Sequence, residues 1–152
     1  MIELTPIGTV RSTRTEVADD NWDRFEARIE LSHDIDPEAL VGLEAFSHAE
    51  IIFFFDRIAE SAVDWGSRYP RGNPKWPKVG VFAQRGKSRP NRLGATIVRI
   101  LRCQGRALEV AGLDAIDGTP VLDIKPVLRE FLPREPVRQP EWATELMARY
   151  WS

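Results

Sequence analysis

The sequence predicts a mostly β domain, a barrel or a sandwich, on three observations. Short apolar runs recur through the first 126 of its 152 residues with turn residues between them, one stretch alternates with a period of two, and the helical signals are brief. A chain of this length fits one domain and can bury a core without metal or disulfide staples.

In order along the chain, residues 6–11 open as a strand. Ala27, Ile29 and Leu31 alternate with Glu26, Arg28 and Glu30, the pattern of a strand with one wet face. Asp36-Pro37-Glu38-Ala39-Leu40-Val41-Gly42 reads as a short helix, with Asp36 as N-cap, Pro37 at the first helical position and Gly42 closing it. Ile51-Ile52-Phe53-Phe54-Phe55 is too short to span a bilayer and too continuous to face water, so it is expected to be the most buried strand. Further strands are expected at 78–83, 95–102, 106–111 and 120–124. After Pro126 the character changes. Pro133, Pro136 and Pro140 space out an extended tail, and residues 141–151 then place Trp142, Leu146 and Tyr150 four apart on one helical face. The division is residues 1–132 as the barrel domain and 133–152 as proline-spaced tail and C-terminal helix. That helix either docks on its own barrel or packs against a second subunit.

Charge and composition narrow the function. With 21 basic and 23 acidic residues the chain carries a net charge of −2, so the molecule as a whole does not advertise a polyanionic partner. Some cations are nevertheless gathered: Arg68, Arg71, Lys75 and Lys78 precede Arg85, Lys87, Arg89 and Arg92. Trp65, Tyr69 and Trp76 are interleaved with the first group, as a surface that stacks on unpaired bases requires. The same residues also read as a solvated loop whose aromatics pack on the barrel. The single Cys103 reads as a small buried apolar side chain. No cationic leader or membrane-length apolar stretch is visible, so a soluble cytoplasmic protein is expected. His33 and His48 lie in unlike surroundings and predict no metal site, and neither a glycine-rich dinucleotide fingerprint nor a P-loop is present.

Two segments carry the chemistry. In Gly80-Val81-Phe82-Ala83-Gln84-Arg85-Gly86-Lys87-Ser88-Arg89-Pro90-Asn91-Arg92-Leu93-Gly94 an apolar run expected to be a buried strand feeds a turn-rich loop with several cations, whose guanidinium forks suit a carboxylate or phosphate. Leu113-Asp114-Ala115-Ile116-Asp117-Gly118-Thr119-Pro120-Val121-Leu122-Asp123-Ile124-Lys125-Pro126 supplies carboxylates. Asp117-Gly118 also reads as a plain tight turn, and Asp123 as a buried partner of Lys125.

These segments resemble the TsaA-like family. The residues that carry the resemblance are Gly80-Val81-Phe82-Ala83 with Arg85, then Arg89-Pro90-Asn91 and Gly94, then Asp117-Gly118-Thr119-Pro120-Val121 and Asp123-Ile124-Lys125-Pro126. Ile7-Gly8-Thr9-Val10-Arg11-Ser12 and Gly42-Leu43-Glu44-Ala45-Phe46-Ser47-His48 agree with it more weakly. The resemblance selects a single closed, irregular barrel with short helices and a C-terminal helix. It implies an S-adenosylmethionine-dependent methyltransferase that acts on N6-threonylcarbamoyladenosine in the tRNA anticodon loop, without metal, as a homodimer. It also implies that Asp20, Asn21, Trp22, Asp56, Arg57, Arg85, Arg89, Leu93, Asp114, Ala115, Ile116 and Asp117 surround the cofactor. Arg85 or Arg89 would clamp the methionyl carboxylate, and Asp114 and Asp117 would accept from the ribose hydroxyls or the ammonium. Arg92 and Lys87 are left to hold the RNA, and Asp114 and Asp117 are the weak candidates for a base. The chain departs from the bacterial pattern at Ser88, Arg92 and Asp56-Arg57, and is expected to be a short form without their further C-terminal domain. A non-catalytic S-adenosylmethionine-binding or RNA-binding module is the alternative.

Overall fold

The computed structural model describes residues 1–152. Six antiparallel strands close on themselves in the order β1-β2-β7-β6-β3-β8. They are β1 (Gly8–Ser12), β2 (Glu26–Leu31), β3 (His48–Phe54), β6 (Leu93–Gln104), β7 (Ala107–Ala111) and β8 (Pro120–Pro126); β4 (Ser67–Arg68) and β5 (Val79–Gly80) form a separate two-stranded ribbon. The period-two reading of β2 holds: Ala27, Ile29 and Leu31 point inward and Ile29 is fully buried. Asp36 caps its turn as expected, its Oδ1 accepting from the Glu38 N–H at 2.9 Å, although the turn is a 3-10 helix ending at Leu40.

Three expectations are corrected. The run from Ile51 is not buried on both faces: Ile51 and Phe53 enter the core while Ile52 and Phe54 are half-buried. A closed barrel has one interior, and the outer face of β3 is covered instead by an excursion of the chain that lays the Arg92 guanidinium over Phe54, 4.7 Å from its ring centre. Residues 78–83 are not one buried strand. Pairing stops after Gly80, Val81–Ala83 turns into a 3-10 helix, and Phe82 is 79% exposed. Asp123 and Lys125 do pair, at 2.9 Å, but in solvent.

Two glycines are required by close approach. A Cβ at Gly8 would stand 2.6 Å from the Glu30 carbonyl oxygen, blocking the β1–β2 pairing. One at Gly94 would stand 2.5 Å from the Phe53 ring, the largest fully buried side chain. Gly94 is thus a packing residue, whatever else its motif does.

Topology places the site. The connections 13–25, 55–92 and 112–119 all leave one rim of the barrel, because β1, β3 and β7 end there and β2, β6 and β8 begin there. The chain leaves β8 at the opposite rim. Residues 128–141 then run exposed outside the barrel, and α1 (Glu141–Leu146) brings the chain back to the first rim. The helix is shorter than the spacing of Trp142, Leu146 and Tyr150 predicts. It stops at Leu146, and Tyr150 leaves its face to bond elsewhere. No helix is long and apolar enough to cross a membrane.

Candidate functional site

The 13–25 connection is built around Arg14. Its guanidinium stacks 3.7 Å from the ring centre of Trp22 and 4.9 Å from that of Phe25. It also donates to the carbonyls of Asp20 at 2.7 Å and Asn21 at 3.1 Å. Burial lowers its pKa from the ordinary value. Trp22, 4% exposed, uses its indole N–H on the Asp19 carbonyl at 3.2 Å. Trp22 therefore buttresses the loop from beneath, and Asn21 makes the turn with φ 68°, a conformation asparagine tolerates. The Asp20 carboxylate is gripped by Arg71, at 2.9 Å and 3.3 Å.

The long 55–92 connection is held by arginines that donate to carbonyls. Arg89 donates to Gln84 at 2.7 Å and closes its own loop, while Gln84 in turn reaches Arg68 and Val79 of the ribbon. Arg85 donates to the Ala95 carbonyl of β6 at 2.5 Å. Arg57 donates to Thr15 at 3.2 Å, tying the start of this connection to the 13–25 loop beside Asp56. Arg92 donates to the Ile58 carbonyl, and it and Asn91 both have positive φ, which sets the sharp turn before Leu93. Lys87 is half-buried in the same loop.

The carboxylates of the 112–119 connection differ in role. Asp117 is a strut: Oδ1 accepts from the Ser12 N–H at 3.0 Å, and its own N–H donates to the Arg14 carbonyl at 2.8 Å. Ala115 and Ile116 are buried and offer only backbone. Asp114 accepts from two hydroxyls, Thr96 Oγ1 on Oδ1 and Tyr150 Oη on Oδ2. Burial, and next the Asp114 charge, push the Tyr150 phenol well above its usual pKa, while Arg85 and Arg71 act the other way. Tyr150 therefore sits as a neutral donor among one carboxylate and two guanidiniums. Of the sequence-selected residues, Asp20, Arg57, Arg85 and Asp114 all lie on connections that leave one rim. Sequence reasoning missed Thr96, Arg14 and the destination of Tyr150.

Charge is segregated more sharply than the net value suggests. Residues 57–92 hold nine Lys and Arg against two carboxylates, which leaves twelve against twenty-one elsewhere. On the barrel wall, Arg28, Arg99 and Arg102 are neutralised by Glu30, Asp23 and Glu109 at 2.5–2.7 Å. Within 57–92 only Arg68 and Arg71 have carboxylate partners. Trp65 and Phe82, 78% and 79% exposed, flank the end of the β4–β5 ribbon, where the Val81 N–H donates to Gly66 at 2.8 Å. Tyr69 is also exposed. Trp76 is not free to stack: its indole donates to Glu145 of α1 at 2.8 Å. Two apolar grooves, of about 340 Å³ around Ile97 and Leu128 and about 430 Å³ around Ile35 and Phe46, include no residue of this rim.

Known proteins resemble this chain in sequence and in fold. Residues 17–131 match the family described as tRNA-methyltransferase O N-terminal domain. The chain is 40% identical over 102 residues to the human protein named tRNA (adenine(37)-N6)-methyltransferase, covering 67% of this chain but only 23% of that protein. It is 40% identical over 129 residues to a protein of Methanothermobacter thermautotrophicus named a probable S-adenosyl-L-methionine-binding protein, covering 82% of this chain and 89% of that one. Among solved structures, the crystal structure of TrmO from Pseudomonas aeruginosa superposes with a TM-score of 0.72 at 30% identity, over 91% of this chain and 61% of that one. The closed barrel expected from the sequence is therefore found both in the structure and in its relatives, and the chain belongs to the tRNA-methyltransferase O N-terminal domain family.

Proposed function

We propose that the chain is an S-adenosylmethionine-dependent methyltransferase that modifies N6 of threonylcarbamoyladenosine in the tRNA anticodon loop. The observation that carries this reading is the meeting, at one rim, of a mixed-charge cluster of side chains with the nine-cation 57–92 segment. The donor set suits the cofactor. Asp114 would take its ammonium or ribose hydroxyls, Arg85 its carboxylate, and backbone groups around Leu93 and Ile116 the adenine edge. Bound there, S-adenosylmethionine supplies an electrophilic methyl on its sulfonium. The chain's own contribution is placement, with Asp20, Arg71 and Arg14 fixing one wall and Arg89 fixing the other. No residue is assigned as general base, since Asp117 is engaged as a strut.

The RNA would lie along the 57–92 cations, with unpaired bases on Trp65, Phe82 and Tyr69. A homodimer is proposed through the exposed Ile97, Leu101 and Phe131, because Trp142, Leu146 and Tyr150 are half-buried on their own chain. A second reading, an S-adenosylmethionine-binding module without catalysis, is favoured by one observation. Two relatives of which the chain covers most, 89% of the Methanothermobacter thermautotrophicus protein and 74% of one from Pyrococcus abyssi, bear only binding names. Methyl transfer from labelled S-adenosylmethionine to tRNA prepared from cells lacking the modification decides between them. Label in adenine N6 supports the enzyme; cofactor binding with no label in tRNA supports the module.

A further inference from the structure

The C-terminal tail is attached almost entirely to the candidate site. Three successive N–H groups, of Asn21, Trp22 and Asp23, donate to the carbonyls of Arg149, Tyr150 and Trp151 at 3.0, 2.8 and 3.1 Å. The side chains add Trp76 to Glu145 at 2.8 Å and Tyr150 to Asp114. Tyr150 and Trp151 then pack edge to face, 4.9 Å between ring centres. All three rim connections, 13–25, 55–92 and 112–119, are thus joined by one segment that contributes nothing to the barrel core.

Within that clasp the hydroxyl of Tyr150 has a specific task. Asp114 is oriented from two sides, by Thr96 on β6 and by Tyr150 on the tail. Arg85 is fixed on the carbonyl of Ala95, the residue beside Thr96. One anion and one cation are therefore held at successive positions of one strand. An α-amino acid presents the complementary pair, an ammonium and a carboxylate on a single carbon. Arg71 cannot serve as the cation in the same way, because Asp20 already neutralises it.

We propose that Tyr150 is a positioning residue that aims Asp114 at the ammonium of the cofactor's amino-acid end, so that the tail clasp sets selectivity for the zwitterion rather than for the nucleoside. The phenol stays protonated, as its environment requires, and acts only as a donor. This inference rests on the cofactor reading above and assigns one end of the ligand to named residues.

Calorimetry with two ligands tests it. S-adenosylhomocysteine and 5′-methylthioadenosine share adenine, ribose and thioether, and differ in the amino-acid end. Tyr150→Phe keeps the ring and every backbone bond of the clasp and removes only the donor. It is expected to weaken S-adenosylhomocysteine about tenfold, the loss of one hydrogen bond to a charged group, and to leave 5′-methylthioadenosine within about twofold. Thr96→Val, which removes the other donor to Asp114, is expected to give the same split. Equal weakening of both ligands would mean that Tyr150 merely supports the fold, and overturns the proposal. So does an unchanged affinity for S-adenosylhomocysteine, or a tighter one, which would mean that the tail obstructs the site. Wild-type protein that binds neither ligand overturns the cofactor reading itself, and this inference with it.

Discussion

Arg71 holds Asp20 with both terminal nitrogens, at 2.9 and 3.3 Å, across 51 positions of sequence. Both side chains are only about a quarter exposed, so the pair is better shielded than the ion pairs of the barrel wall. Lysine cannot reproduce the fork. Arg71→Lys is therefore expected to cost about 1–2 kcal/mol of stability by urea unfolding and to weaken S-adenosylmethionine, because the 13–25 connection loses one of its ties to 55–92, that of Arg57 to Thr15 remaining. Wild-type values in both measurements would show that this pair does not hold the loop.

The arginines of the signature loop should separate by role. Arg85 has only the Ala95 carbonyl as partner and keeps its charge for a ligand carboxylate, so Arg85→Ala is expected to weaken S-adenosylmethionine by about 2 kcal/mol or more. Arg92 lies over Phe54 and bonds the Ile58 carbonyl, away from Asp114's hydroxyl donors. Arg92→Ala should leave the cofactor affinity within about twofold and lower the salt dependence of tRNA binding by about one unit. Titrations with cofactor and with tRNA at two salt concentrations check both variants. Normal cofactor binding by Arg85→Ala would remove it from the clamp.

Two exposed aromatics at the open end of the β4–β5 ribbon suit bases rather than phosphates. Trp65→Ala and Phe82→Ala are each expected to cost about 1–3 kcal/mol in binding a single-stranded anticodon-loop RNA, with cofactor affinity unchanged. Since both side chains stand nearly free in solvent, melting temperatures should not move. RNA binding equal to wild type in the double variant would place the RNA elsewhere.

Alkaline pH offers a separate check on the tail. The Tyr150 pKa is raised above its ordinary value of 10.0, chiefly by burial and then by Asp114. Above that value the unfolded chain loses its phenolic proton while the folded one retains it, so this stabilisation is complete below it and is lost progressively as pH rises through the folded pKa. Wild-type stability should fall more steeply than that of Tyr150→Phe between about pH 9 and about pH 11. Parallel curves would mean that the phenol is not buried.

Much of the barrel was legible because local pattern and burial agree there. The alternation of β2 and the Asp36 cap need no distant partner to be read, and the turn around Gly118 is announced by its own residues. The outward half of β3 was misread because an apolar run does not reveal that an arginine from a remote loop will cover it. The candidate site was legible in parts only. Arg85 and Asp114 stand out by type, but Thr96 looks like any β-strand threonine, and spacing places Tyr150 on a helix that in fact ends four residues earlier. Charge segregation in 57–92 could have been found by counting in windows instead of over the whole chain.

The passage of residues 128–141 from one rim to the other, exposed throughout, has a mechanical meaning. No residue after Ile124 belongs to the core or packs against it, whereas the last residues of the chain bolt together the three loops of the site. The barrel and its fastening are joined by an exposed tether that touches the barrel only through the groove of Leu128, Phe131 and Leu132 with Ile97. A single cleavage in that tether would cut no strand of the barrel and would leave the fastening held to the three loops by its noncovalent contacts alone.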